Sequence, residues 1–239
     1  MESETEKSRL PSAIDLFSKS LAVVKSNLNT YLLIYAIPAA LMVAGVVQII
    51  SDSNRRGWTW SHVFSSSIFG PSWGSDASVH TTGAVLSLLL LLAAFISYFL
   101  AIILNLRAAE GRAPTFSGVW KEYFQNWLWL KLTGLLIVVA VLELVGLLLL
   151  IVPGVILAWR LFLAPYILID QKTGVFEAIS KSWKMTKGYA DAIYGVILIS
   201  LVLSLTGIIP VIGSLISFAL GVCYAAAPAL RYLEIKKRS

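Results

Sequence analysis

The chain has 239 residues, 58% of them hydrophobic and only 13% charged, with a mean hydropathy of +0.81. One globular core of this size cannot hide that much apolar surface, which argues against a water-soluble enzyme and against a disordered chain. The net charge of +6 would suit nucleic acid, but the lysines and arginines stand beside apolar runs, where anionic lipid headgroups lie. No nucleic acid partner is expected.

Residues 1–11 form a tail that starts with acids (Glu2, Glu4, Glu6). A cleaved secretory signal would start with basic residues, so the first spanning helix is expected to act as the insertion signal. A single membrane domain is expected over 12–233. Ser12, with Asp15 three residues on, opens an amphipathic helix. Ile14, Phe17, Leu21 and Val24 form its apolar stripe, with Lys19, Ser20 and Lys25 off it. The first apolar run covers 31–50. A long connection, 51–82, carries Trp58, Trp60, Phe64, Ile68, Phe69 and Trp73. It reads as an aromatic belt at headgroup level, or as a lid over an outward cavity. The second run is 83–104. After Pro114 and Thr115 comes a second amphipathic helix, with Phe116, Val119, Trp120, Tyr123, Phe124 and Trp127 on one side. The third run, 128–152, meets a hairpin turn at Pro153 and Gly154. The fourth, 155–169, is short and is expected to borrow Val152 and Pro153. A third amphipathic helix follows Thr173, with Phe176, Ile179 and Trp183 on one side and Lys181, Lys184 and Lys187 on another. The fifth and sixth runs are 192–209 and 211–230, and 234–239 is a basic tail.

A bilayer core about 30 Å thick needs roughly 20 helical residues, and only helices or closed barrels satisfy the backbone there. The runs lack period-2 alternation, so helices are the reading. The expected fold is all-α: a polytopic membrane protein with six transmembrane helices and three interfacial amphipathic helices. With the N-terminus in the cytoplasm, 16 of the 19 lysines and arginines fall on the cytoplasmic side, and only Arg55 and Arg56 fall outside. The reverse threading would break the positive-inside rule. Both termini are therefore expected in the cytoplasm, with the helices either resting on the inner-leaflet interface or packing under the bundle. Lys19, Lys25, Lys181, Lys184 and Lys187 are the candidates for lipid headgroups.

The chain repeats itself. Ser18-Lys19-Ser20-Leu21 is echoed by Ser180-Lys181-Ser182-Trp183, each before a span. A Leu-x-Leu-x-Gly stretch ends at Gly146 and again at Gly207, each some 20 residues before an Ala-Pro pair, Ala164-Pro165 and Ala227-Pro228. The architecture reads as three units, each an amphipathic helix followed by a two-span hairpin.

Residues 153–198 carry a Pro-Gly turn, an Arg-containing helix ending in Ala-Pro, an acid-x-x-x-Gly turn (Asp170, Gly174), then Ala-x-x-x-Ser-Trp and Lys-Gly. This stretch resembles the bacterial glycerophosphoryl diester phosphodiesterase membrane-domain family and its uncharacterised six-helix standalone relatives. In that family the membrane part can precede a catalytic barrel. The chain reaches Ser239 without room for one, so no phosphodiesterase activity is expected. The resemblance implies a bacterial inner-membrane protein connected with lipids or envelope maintenance.

Few residues could carry chemistry. Glu143 and Arg160 are the only charges deep within the runs. They could form a pair that locks the hairpin or a proton- or substrate-linked site. Pro38, Pro165 and Pro228 interrupt spans, as static kinks or as hinges of a transporter. His62 and His80 lack metal-ligand spacing, and the single Cys223 excludes an intrachain disulfide. No nucleotide loop, nucleophile elbow or zinc-protease motif is present. The expectation is therefore a non-enzymatic membrane protein without metal or cofactor. It would interact with inner-leaflet anionic lipid or support a membrane partner or a second copy of itself. The alternative is a small transporter built on Glu143 and Arg160.

Overall fold

The computed structural model describes residues 10–56, 77–149, 151–209 and 212–238. Among them the chain is all helical: α1 (Asp15–Ser26), α2 (Leu28–Arg56), α3 (Ala77–Ala109), α4 (Phe116–Phe124), α5 (Leu128–Leu149), α6 (Ile151–Leu161), α7 (Ala164–Gln171), α8 (Val175–Met185), α9 (Ala190–Leu205), α10 (Ile212–Tyr224) and α11 (Ala227–Lys236). Five stretches are long and apolar enough to cross a membrane, or six if α1 and residues 28–44 of α2 count together. The chain bends by 98° between those two, so α1 lies across the end of the bundle while α2 runs along it. This is a polytopic membrane protein.

Several expected boundaries move. The connection expected over 51–82 is shorter, because α2 continues to Arg56 and α3 begins at Ala77. Trp58, Trp60, Phe64, Ile68, Phe69, Trp73 and His62 lie outside the described residues. The hairpin turn is not at Pro153 and Gly154. Both lie inside α6, with Pro153 in its first turn, where a helix has no use for the missing N–H. The basic tail expected from residue 234 is helical as far as Lys236.

Gly146 and Gly154 set how α5 and α6 cross. A Cβ on Gly146 would stand 3.0 Å from the Gly154 Cα, and one on Gly154 would stand 3.1 Å from the Leu147 amide nitrogen. The two backbones touch there, as small residues in membrane helices permit. The α9–α10 hairpin repeats the device: a Cβ on Gly207 would lie 3.5 Å from Ser217, whose hydroxyl donates to the Leu203 carbonyl at 3.0 Å.

Pro165 and Pro228 do more than kink a helix. A proline cannot donate to the carbonyl four residues back and its ring collides with it. Here α6 stops at Leu161 and α10 at Tyr224, four residues before each proline. After a two-residue turn, α7 and α11 restart with the proline in their first turn. Pro38, by contrast, lies inside the continuous α2.

Two of the three short helices pack on these joints, and the third packs on the corresponding end of α3. α8 lies on α6 and α7, α1 lies on α10 and α11, and α4 lies on α3. Each short helix buries one stripe at four-residue spacing: Leu16, Ser20 and Val24; Val119 and Tyr123; Ala178, Ser182 and Thr186. The matching serines do matching work. Ser182 Oγ donates to the Arg160 carbonyl at 2.6 Å, and Ser20 Oγ donates to the Cys223 carbonyl at 2.8 Å. Each acceptor lies four residues before the Ala of an Ala-Pro pair. Ser20 Oγ also accepts from the Ala226 amide at 3.1 Å. In the middle unit Val119 replaces the serine, and α3 has no proline and no break. The threefold pattern is thus visible in the packing, with α1 reaching the sixth span from the other end of the chain.

Candidate functional site

The joints and short helices gather at the basic end of the bundle. α3 ends at Ala109, and Gly111 at φ 79° reverses the chain. Thr115 caps α4, its hydroxyl accepting from the Gly118 amide at 3.2 Å. The reversal carries Glu122 back to Arg107, which is 9% exposed. Arg107 Nε donates to both Glu122 oxygens at 3.1 Å, with a further close contact from Nη2, and Nη1 donates to both Glu110 oxygens at 3.1 Å. Arg112 Nε meets Glu110 at 3.1 Å. Two arginines thus balance two glutamates. A planar guanidinium can bridge two carboxylates in this way and an ammonium cannot.

Beside this network lies a cavity of about 270 Å³, lined by Arg107, Arg112, Lys121, Glu122, Gln125 and Lys172. A smaller one next to it shares Glu122, Gln125 and Lys172 and adds Lys131. Lys172 is brought there by its left-handed backbone, φ 53°, which ends α7. The positive φ of Asn126 and Trp127 turns α4 into α5 behind Gln125. Among the described residues Lys121, Lys131 and Lys172 form no ion pair.

A second polar joint ties the repeat units together. Asp170 accepts from Tyr232 Oη at 2.5 Å and from Lys236 Nζ at 2.5 Å, and Tyr166 stacks on Tyr232 at 5.9 Å. Arg231 is fully buried, donating to the Pro11 carbonyl at 2.8 Å and to Glu234 at 3.1 Å.

The expected Glu143–Arg160 pair does not form. The Gly146–Gly154 contact sets the hairpin register. At a 1.5 Å rise, Glu143 lies about 4.5 Å beyond that contact and Arg160 about 9 Å, a depth difference that long side chains could close, so register alone does not part them. Arg160 turns to α8 instead. Its guanidinium lies 4.0 Å from the Trp159 ring centre and 5.1 Å from that of Trp183, and it donates to the Trp183 carbonyl at 3.0 Å. The charges most buried are Arg107 and Arg231, which the apolar-run reading placed outside the spans.

The expected headgroup lysines divide. Lys19 pairs with Glu234 at 3.3 Å, and Lys181 pairs with Glu177 at 2.8 Å and donates to Gln171. The Lys181 hydrogen bond holds the Glu177 carboxyl below its ordinary range. Lys25, Lys184 and Lys187 are exposed. The amphipathic stripes also need correction. Leu16, not Ile14, anchors α1, since Ile14 is 75% exposed, and Ser20, expected off the stripe, is buried on it because its hydroxyl is taken up by backbone groups of the last span; Phe176 and Trp183 of α8 face outward. In α4 the aromatic face splits. Val119 and Tyr123 point into the protein, while Phe116, Trp120, Phe124 and Trp127 form an outward row with ring centres 6.1 and 5.2 Å apart along its first three members.

Comparison with known proteins falls on the hairpins that frame this end. Residues 123–220 match the model of an uncharacterised protein family, UPF0259. A UPF0259 membrane protein of Pectobacterium carotovorum subsp. carotovorum (strain PC1) is 41% identical over 59 residues, which are 25% of this chain and 24% of that protein. The match spans about a quarter of the relative's length. No solved structure matches. The chain is thus similar to an uncharacterised family of membrane proteins, and the matched residues run from α4 into α10.

Proposed function

We propose that the chain is a non-enzymatic protein of the bacterial cell membrane whose basic end faces the cytoplasm and interacts with anionic lipid of the inner leaflet. The observation that carries this reading is the outward aromatic row of α4. Phe116, Trp120 and Phe124 are 39–50% exposed on a helix that packs Val119 and Tyr123 against the bundle, with Lys121 beside them and Trp127, 67% exposed, in the turn that follows. Aromatic rings and lysines at the end of apolar spans belong at the level of lipid headgroups. Phe176 and Trp183 repeat the arrangement on α8, next to Lys184 and Lys187. In this reading α4 and α8 each pack one stripe under the bundle and leave the neighbouring stripe for the interface.

The resemblance to the phosphodiesterase membrane-domain family supports a lipid-related role in envelope maintenance, with or without a membrane partner. The alternative is a small-solute or lipid transporter or channel using Glu143 and Arg160, two residues that form no ion pair with each other among the described residues.

The test is native mass spectrometry of the purified protein with phosphatidylglycerol. Lys184→Gln/Lys187→Gln, combined with Trp120→Ser/Trp127→Ser, is expected to lose retained lipid. An unchanged lipid count would refute the reading.

A further inference from the structure

We propose that the cavity between α3, α4 and the end of α7 binds a phosphate group, carried either by a phospholipid headgroup or by a soluble phosphate ester. Charge is the first argument. Arg107 and Arg112 are balanced by Glu110 and Glu122, so Lys121 and Lys172 leave the walls with a surplus of two positive charges. Lys131 adds a third across the adjoining cavity. A phosphomonoester carries up to two negative charges and a phosphodiester one.

Geometry is the second argument. Lys121 comes from α4, Lys172 from the left-handed end of α7, and Arg112 from the turn after α3, so the cations approach from three elements. Arg112 spends its Nε on Glu110, which leaves its outer nitrogens for a ligand, and Gln125 adds a neutral donor. Cationic groups and neutral donors converging this way suit an anion with several acceptor oxygens. Glu122 also lines the cavity, but both its oxygens are held by Arg107. About 270 Å³ is room for a group several times the size of a water molecule, whose share of liquid volume is about 30 Å³.

Position is the third argument. The outward rings Phe116, Trp120 and Phe124 lie on the same helix as Lys121, with Gln125 at its C-cap and the exposed Trp127 in the turn just beyond. A lipid with its phosphate in the cavity would have these rings beside it at the headgroup level. That half of the proposal rests on the lipid-facing reading of the basic end; the phosphate chemistry does not.

The experiment uses the full chain in two arms. The first is native mass spectrometry from nanodiscs of equal phosphatidylglycerol and phosphatidylcholine. The second is calorimetric titration of the detergent-solubilised protein with inorganic phosphate and with sn-glycerol 3-phosphate. The variant is Lys121→Gln/Lys172→Gln, which leaves the Arg107 network whole. The expected result is an affinity about tenfold or more weaker, the effect of losing charge-assisted contacts. Loss of retained phosphatidylglycerol identifies the lipid as the source. Weakened phosphate titration with unchanged lipid identifies a soluble ester. No change in either arm overturns the site. If Lys184→Gln/Lys187→Gln sheds lipid while the cavity variant changes neither arm, the membrane reading stands and the site falls. Should the double variant not fold, Arg112→Gln, whose side chain is 65% exposed, is read in the same two arms.

Discussion

Removing the hydroxyl of Ser20 or Ser182 tests the repeat architecture at its joints. Both side chains are fully buried. Ser182→Ala takes the donor from the Arg160 carbonyl, 2.6 Å away, at the joint where Pro165 ends α6. Leaving a buried carbonyl unpaired costs about 1–3 kcal/mol. Ser20→Ala removes two contacts, to the Cys223 carbonyl and from the Ala226 amide, so its cost should be the larger, about 2–3 kcal/mol by the same principle. For a chain of this size each kcal/mol lowers Tm by about 2–4 °C. Thermal unfolding in detergent, followed by far-UV circular dichroism, should therefore drop by several degrees in both variants, and further in Ser20→Ala. Ser180→Ala, on the exposed face of the same motif, should change stability by less than about 0.5 kcal/mol. If Ser20→Ala and Ser182→Ala behave like Ser180→Ala, the serines do not hold the broken spans and the reasoning fails.

Gly154→Ala should destabilise the α5–α6 hairpin by about 1–3 kcal/mol, because its Cβ meets the Leu147 backbone. Gly221→Ala, with nothing within 4 Å of its Cβ, should be neutral or stabilising by up to about 1 kcal/mol; the same unfolding assay separates them. Arg107→Ala should cost about 3 kcal/mol or more, since Glu110 and Glu122 would both lose their buried cation. Arg107→Lys should recover only part of that, because an ammonium has three donors on one nitrogen and cannot reproduce the paired contacts of the guanidinium to both carboxylates; equal stability of Arg107→Lys and Arg107→Ala would argue against the bridging role.

The helical membrane architecture was legible because spans of this length and apolarity have one solution in lipid. The Ser-Lys-Ser echo was legible too, but not its chemistry. Ser20 reaches a carbonyl 203 residues away, and nothing local to Ser20 names that partner. Apolar stripes misled for a physical reason. In a membrane protein the outward face is as apolar as the inward one, so Ile14 and Phe176 could not be told from Leu16 by hydropathy. The small residues Ala178, Ser182 and Thr186 were the better marker of close packing. Depth alone suggested pairing Glu143 with Arg160, and depth does not separate them; what separates them is that Arg160 finds the Trp159 and Trp183 rings and the Trp183 carbonyl, partners that the linear sequence does not place beside it. Arg107 sits just past a span end, where a basic residue is the ordinary flank of an apolar run. Its partners were visible as an acid three residues on and another in the next helix, a signal that needed the reversal at Gly111 to become a site.

The account depends most on the basic end facing the cytoplasm. In a Cys223→Ala background, Ser180→Cys and Ser66→Cys are treated in intact cells with a maleimide that cannot cross the inner membrane. Labelling of position 66 and protection of position 180 until the cells are permeabilised is the predicted result. The reverse pattern would put the aromatic row and the lysine-lined cavity on the other leaflet and contradict the proposed contact with inner-leaflet lipid.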